Sequence, residues 1–361
     1  MRYPGQHPRR ATVVGAGSFG TAVAVLLVRA GLRTALLCRT AEQADLLARE
    51  RENGRYLRGV ELPGQLRIRA LGASAGDELG RADLVFLAIP SRELPVGIPE
   101  LRRQGVSDRA GLVSLAKGLL PPDGTLPSAA LELAFGPERV ACVGGPAHAM
   151  EMVESGAGLV CASRSEALAH GVADVFQRSG VVCEVSNDPV GVELAGIAKN
   201  AAAVAVGATQ AQGVNAAGMA AADIFLEVLE LAQLSGGVPR TFVGRAGTGD
   251  LVATTLAPTS RNRTAGELLA QGVPAEEIPA RVGQAVEALQ TVRLLSHSIE
   301  RAGLEAPVTS ALAHLIEGTL PLDEWVAMVR AKQPPPASFR HPSTWWVRLR
   351  AWFRGLFGIG E

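Results

Sequence analysis

The sequence predicts an α/β domain followed by an all-α domain, and three observations carry that division. Up to about residue 188, short apolar runs bounded by Gly, Pro or charge alternate with helical stretches, the pattern of buried strands in a parallel sheet. The first of these runs leads directly into a glycine-rich turn. From Pro189 onward, long Ala/Leu/Val stretches with helical spacing replace the runs. The expected organisation is an α/β domain over residues 1–188, a helical domain over 189–332, and a proline-linked tail over 333–361.

Composition narrows the function classes. A chain of 361 residues suits about two domains. It is 47% hydrophobic and 19% charged, with a formal net charge of zero, so nothing favours nucleic acid as a partner. The four cysteines (Cys38, Cys142, Cys161 and Cys183) show neither CxxC nor zinc spacing. They read as reduced core residues, and no metal site is expected. Residues 1–10 lack the apolar region of a signal peptide, and no uncharged run reaches the length of a membrane span. The expectation is a cytoplasmic soluble protein.

Residues 11–14 form the first predicted strand, followed by Gly15-Ala-Gly-Ser-Phe-Gly20, a helix over residues 21–30 ended by Gly31, and a second strand over 34–38. This strand–turn–helix–strand setting is what the GxGxxG fingerprint of a Rossmann-type fold requires. Gly15 makes the tight turn, Gly17 lets backbone approach a pyrophosphate, and Gly20 lets helix and strand pack closely. The helix N-terminus then offers N–H groups to phosphate. At the end of the second strand, where an NAD site usually has an acid, stands Arg39. A guanidinium there suits a 2′-phosphate, which favours NADP over NAD, with a solvated surface arginine as the alternative.

Further strands are predicted over 83–90, 111–116, 140–144, 157–161 and 181–185, the first three parallel. Their ends bring Pro90-Ser91, Lys117-Gly118 and the loop Gly144 to Ala149 to the edge where ligands of such sheets gather. In the second domain, Lys199 sits among Ala and Val in a segment that reads as a buried helix. Of the 35 basic residues only Lys117, Lys199 and Lys332 are lysine. A buried amine is costly unless paired, and burial lowers its pKa toward the range of proton transfer, which guanidinium cannot serve. The alternative is a lysine whose stem packs while its amine reaches water. A polar, glycine-rich loop is predicted over 244–251, continuing to Ser260-Arg-Asn-Arg263. Asp250 with Arg261 and Asn262 is a candidate pairing of a catalytic carboxylate with an anion-binding fork, unless the loop is merely tied by its own salt bridges.

With these residues in view, residues 11–325 closely resemble NAD(P)-dependent glycerol-3-phosphate dehydrogenases of the bacterial type. The markers are Gly15 to Ala22, Asn53 to Pro63, Ala116-Lys-Gly118, Gly145-Pro-Ala-His-Ala149, Lys199-Asn200, Ala246 to Leu251, Ser260 to Arg263 and Val286-Glu287. The resemblance implies that Lys199 is the acid/base at the C2 oxygen of dihydroxyacetone phosphate. It implies that Lys117 contacts substrate and cofactor, and that Asp250 orients the lysine and the substrate. By the same resemblance Gly145, Ala147, Ser260, Arg261 and Asn262 lie on the substrate side. Ser18, Phe19, Arg39, Ala149 and Glu287, with Lys117 and Arg261, lie on the cofactor side. The implied reaction is reduction of dihydroxyacetone phosphate to sn-glycerol 3-phosphate, feeding glycerophospholipid synthesis, with room for a homodimer.

Three positions depart from the family pattern. Ala147 and His148 stand where the family usually has a hydroxyl and an aromatic residue. Residues 219–225 replace the usual Thr-Arg-Gly stretch, and Ala288 replaces a glycine. Two other functions therefore stay open: a related dehydrogenase for another phosphorylated or carboxylated substrate, and a dinucleotide-binding regulatory protein whose activity has lapsed. Beyond the resemblance, residues 343–357 hold three of the four tryptophans among arginines, a pattern for peripheral contact with an anionic membrane or for packing on the protein.

Overall fold

The computed structural model describes residues 8–72 and 75–331. Among them ten strands form: β1 (Arg10–Val14), β2 (Arg33–Cys38), β3 (Glu52–Asn53), β4 (Leu57–Glu61), β5 (Arg67–Ala70), β6 (Leu84–Leu87), β7 (Gly111–Ser114), β8 (Val140–Gly144), β9 (Gly158–Ser163) and β10 (Val182–Ser186). Eight make one sheet in the order β10-β9-β8-β7-β6-β1-β2-β5, and β3 with β4 makes a separate hairpin. The strands from β5 through β8 are parallel. The chain builds outward from β1 through β2 to β5, then crosses back to lay β6 on the other side of β1. That reversal leaves a crevice at the C-terminal ends of β1 and β6, where open α/β sheets bind ligands.

The structure differs from the sequence expectation in three places. β3, β4 and β5 carry no apolar run; β4 buries only Leu57 and Val60, and β5 exposes Arg67 and Arg69. Their hydrophobic signal is too thin to read. β9 pairs with β8 antiparallel, and β10 then follows β9 parallel, so the sheet is mixed at that edge. The glycine-rich stretch after Gly244 is helical: a single π-helical turn (Arg245–Gly249) runs into a helix (Asp250–Leu256), and Ser260 opens another (Arg261–Ala270). A Cβ at Gly247 would lie 2.0 Å from the Phe242 carbonyl oxygen, so this glycine permits tight winding rather than a loop.

The second half is organised around the helix Pro189–Thr209. Asp188 caps it, with Oδ1 accepting from the Gly191 N–H at 2.7 Å, and Pro189 takes the first position, where no N–H is needed. Nearly every side chain in it is buried, which suits a helix apolar on all sides. A stretch this long and apolar could cross a membrane by composition, but here it is the core. Its neighbour Arg261–Ala270 packs against it backbone to backbone. A Cβ at Gly207 would meet the Arg263 carbonyl oxygen at 2.0 Å, and one at Gly266 would meet the Val204 carbonyl oxygen at 2.0 Å.

Two buried glutamates, Glu193 on helix Pro189–Thr209 and Glu227 on helix Val214–Leu234, cap the starts of other helices. Glu193 accepts from the Ser128 N–H at 2.9 Å and from its hydroxyl at 2.6 Å, at the start of helix Pro127–Phe135. Glu227 accepts from the N–H groups of Val308 and Thr309 at the start of helix Pro307–Glu317. Both satisfy helix-end donors that would otherwise be buried without partners. All four cysteines are buried and unpaired, on β2, β8, β9 and β10. Burial raises each thiol's pKa, which makes them poor nucleophiles.

Candidate active site

At the C-terminal end of β1, Gly15 turns with φ +111°, and a Cβ there would meet the Ala88 carbonyl oxygen at 2.5 Å. A Cβ at Gly20 would sit 2.0 Å from the Gly15 carbonyl oxygen. The fold itself therefore demands both glycines. Gly17 is different: beyond its own chain neighbours, nothing lies within 4 Å of a Cβ built there. Its smallness serves an approach from outside the protein. The helix Ser18–Arg29 begins here with neither a side-chain cap nor an acid in its first turn, so its N–H groups and dipole face outward. Ser18 and Phe19 are half-buried at that end, and Arg39 is exposed just past β2 without an acidic partner among the described residues. This arrangement fits a dinucleotide with its pyrophosphate at the helix N-terminus and a 2′-phosphate near Arg39.

The catalytic candidates meet beside this turn. Lys117, three residues past β7, donates to Asp250 Oδ2 at 2.6 Å and to the Gly145 carbonyl at 3.3 Å. Lys199, mid-helix and 8% exposed, lies with Nζ 3.2 Å from Asp250 Oδ1 and donates to Thr254 Oγ1 at 2.9 Å. One carboxylate, 2% exposed, thus holds two ammonium groups, one on each oxygen. Thr254 stands one turn after Asp250 and donates to its Oδ1 at 3.4 Å, closing the cluster.

The electrostatics follow from this crowding. Burial, with Lys117 and Arg261 nearby, lowers the Lys199 ammonium to about 8 despite the attraction of Asp250. Burial works to raise the Asp250 carboxyl, but Lys117 and Lys199 together hold it below its ordinary value. Asp250 stays ionised, and Lys199 can give up or take a proton near neutral pH.

The helix Arg261–Ala270 aims its N-terminus at the same region. Asn262 Nδ2 donates to Asn200 Oδ1 at 2.8 Å, and Asn200 Nδ2 donates to the Lys117 carbonyl at 3.1 Å. This chain of amides ties the helix start to the lysine cluster. Ser260 is the buried N-cap, its hydroxyl accepting from the Arg263 N–H at 3.4 Å. Arg261 is exposed and points elsewhere, donating to Gln284 Oε1 at 3.1 Å and the Ala285 carbonyl at 3.4 Å. It touches neither Lys199 nor Asp250 directly and reaches them through its charge. Glu287 accepts from the Ser91 N–H at 3.1 Å, bridging a helix start to the loop after β6. Burial raises its pKa, against the pull of that N–H and of Arg261.

Gly145 turns with φ +103° and is buried, and a Cβ on it would meet the Gly158 carbonyl oxygen at 2.4 Å. Ala147, His148 and Ala149 follow half-buried, and none of the three carries a hydroxyl. Sequence reasoning missed Thr254, although its place four residues after Asp250 on a helix was a usable signal. It also gave no role to Asn53, whose Nδ2 donates to the Ala16 carbonyl and to Thr21 Oγ1, locking the glycine turn from the β3 hairpin. Among the described residues no three His, Cys, Asp or Glu side chains gather as a metal set.

Comparison with known proteins places these features in a family. Residues 10–169 match the family model of the NAD-dependent glycerol-3-phosphate dehydrogenase N-terminus, and residues 188–327 match that of its C-terminus. A protein of Parafrankia sp. named glycerol-3-phosphate dehydrogenase (NAD(P)+) is 36% identical over 333 residues, covering 91% of this chain and 98% of the relative. One of the same name from Deinococcus radiodurans is 38% identical over 314 residues, covering 85% and 90%. The crystal structure of glycerol-3-phosphate dehydrogenase from Coxiella burnetii superposes with a TM-score of 0.82 at 26% identity, covering 91% of this chain and all of that one.

Proposed function

The chain belongs to the NAD-dependent glycerol-3-phosphate dehydrogenase family, and from that premise we propose that it reversibly reduces dihydroxyacetone phosphate to sn-glycerol 3-phosphate, with NADPH preferred and NADH accepted. The observation that carries the reading is the single Asp250 carboxylate shared by Lys117 and Lys199 at the sheet's ligand edge.

The nicotinamide cofactor supplies hydride to C2 of the substrate. Everything else is asked of this chain. Lys199, protonated below about pH 8, donates to the oxygen on C2 as negative charge develops there. Asp250 holds that ammonium in place and stays anionic while the proton leaves. Lys117 adds a second positive charge, which stabilises the developing alkoxide. The start of helix Arg261–Ala270, with Ser260 and Asn262, offers N–H and amide donors to the substrate phosphate, and Arg261 adds charge. Gly145 and Ala147 line the substrate side. Ser18, Phe19, Arg39, Ala149 and Glu287 line the cofactor side. Residues 1–188 are assigned to cofactor binding and 189–332 to substrate and proton transfer.

The reading extends to a cytoplasmic enzyme that supplies the glycerol phosphate backbone for lipid synthesis, with room for a homodimer. The tail over 333–361, with its proposed membrane contact, lies outside the described residues. Oxidation of NADPH by purified protein with dihydroxyacetone phosphate tests the reading; a protein that binds NADPH and leaves this substrate untouched overturns it. One observation favours a second reading. Ala147 removes a hydroxyl from the substrate loop, which suits a related carbonyl substrate needing one hydrogen bond fewer. A panel of phosphorylated and carboxylated ketones separates the two.

A further inference from the structure

The parallel strands put the lysine cluster at one end of the sheet and leave another set of charges at the opposite end. There a cavity of about 220 Å³ is lined by Arg10, Arg33, Arg67 and Arg81, with Thr12, Asp77 and Glu78 completing most of its wall. The register explains the gathering. Arg10 pairs with Arg33 across β1 and β2, and Arg67 pairs with Ala35, two residues beyond Arg33. Side chains two apart on a strand share a face, and so do register partners of parallel strands. Three guanidinium groups therefore rise from one face of the sheet. Arg81 joins them from the end of the short helix Gly76–Gly80 above.

Like charges directly opposite on neighbouring strands are destabilising. The protein balances only part of this charge. Glu78 pairs with Arg67 at 3.1 Å and Asp77 with Arg81 at 4.0 Å, both exposed contacts that water screens. A further carboxylate on this edge, Asp83, is engaged by the backbone N–H groups of Arg9 and Arg10. Among the described residues no carboxylate lies within ion-pair distance of the Arg10 or Arg33 side chain. Two unpaired guanidinium forks thus face a cavity smaller than the roughly 300–1,000 Å³ that drug-sized ligands occupy. Thr12 contributes little to a ligand, because its hydroxyl already donates to the Glu78 carbonyl at 3.0 Å.

We propose that this cavity is a second anion site, separate from the catalytic cleft, which takes a small, multiply charged oxyanion of the phosphate class through Arg10 and Arg33. Planar guanidinium groups bind such oxygens in pairs, with charge and direction together. Occupation removes the repulsion between the two strands. Arg67 and Arg81 then exchange their carboxylate partners for the ligand.

Pyrophosphate titrated calorimetrically into the full-length protein, with NADP+ and glycerol 3-phosphate at saturation, tests the proposal. The catalytic phosphate sites are then filled, and one site remains to be read. We expect saturable binding, weakened about tenfold or more in the Arg10→Gln/Arg33→Gln double variant. An Arg10→Lys/Arg33→Lys variant, which keeps the charge and loses the fork, should fall between the two. Turnover of dihydroxyacetone phosphate is expected to be unchanged in both variants. No binding by the intact protein overturns the site, and so does equal affinity in the glutamine variant.

Discussion

Lys199 and Asp250 come from different helices of the second half and meet with Nζ 3.2 Å from Oδ1. The other oxygen of the same carboxylate carries Lys117 at 2.6 Å. An ion triplet of this kind sets both the protonation state and the position of Lys199. It is the source of the first two expectations.

In the proposed mechanism, reduction requires Lys199 in its protonated form, and that form is lost as pH rises through about 8. The rate of dihydroxyacetone phosphate reduction should therefore fall on the alkaline side, with an inflection near that value. Glycerol 3-phosphate oxidation, which needs the neutral amine, should rise over the same interval. Lys199→Ala should lower kcat by about 10²–10⁴ with the cofactor still bound. A pH profile for both directions, run beside the variant, checks this.

Asp250→Asn removes the charge that opposes deprotonation of Lys199 and leaves two ammonium groups facing each other. The alkaline limb of the reduction profile should move to lower pH, because the attraction holding the proton is gone. Breaking a buried ion pair from one side costs about 3–5 kcal/mol, so a lower Tm should accompany the change. Thr254→Val deletes the hydroxyl that accepts from Lys199 and should move the limb in the same direction by a smaller amount. An unmoved limb in Asp250→Asn would take Lys199 out of the proton-donor role.

Gly207→Ala and Gly266→Ala each drive a methyl group into a backbone carbonyl of the facing helix. Overpacking of this kind costs about 1–3 kcal/mol. It should also raise KM, because the displaced helix carries Asn262. Gly218 is the control: it lies inside helix Val214–Leu234 with nothing within 4 Å of its Cβ position. Gly218→Ala should stabilise by about 0.5–1 kcal/mol. Thermal denaturation of the three variants separates them by sign.

Arg39→Asp should exchange cofactor preference. An acid at the end of β2 repels a 2′-phosphate and accepts from a ribose hydroxyl. Loss of a charge-assisted contact worth about 1.5–3 kcal/mol corresponds to roughly a ten- to hundredfold rise in KM for NADPH. KM for NADH should fall or hold. Steady-state kinetics with both cofactors decides the matter.

Burial raises the Glu193 carboxyl from 4.5 to about 8, against the pull of its Ser128 hydrogen bonds. A folded-state value above the unfolded one means its contribution is fully present below about pH 4.5 and is lost as pH rises through about 8. Denaturant unfolding should show this decline with pH. Glu193→Gln, which keeps the shape and cannot ionise, should flatten it.

The cofactor half was legible in the sequence because its signals are local. The turn from Gly15 to Gly20, the strands on either side and the exposed Arg39 lie within one continuous segment, and steric demand alone dictates two of the three glycines. Lys199 stood out for a similar reason, as an amine in an apolar helix in a chain that otherwise uses arginine. The winding of residues 245–249 into a π-helical turn was not legible. Glycine marks a loop and a tight helical contact equally well, and Phe242 decides between them.

The sequence by itself determined the apolar strands of the main sheet, the phosphate turn and the identity of the scarce lysines, since each follows from neighbouring residues and their spacing. Only the tertiary structure decided that Lys117 and Asp250, 133 residues apart, would share a proton-bearing cluster with Lys199. It alone brought Thr254 under Lys199 and joined Ser91 to Glu287 across 196 residues. The physical reason is that a buried charge has no sequence-local remedy. Its partner comes from whichever element packs against it, here helix Asp250–Leu256 lying against helix Pro189–Thr209.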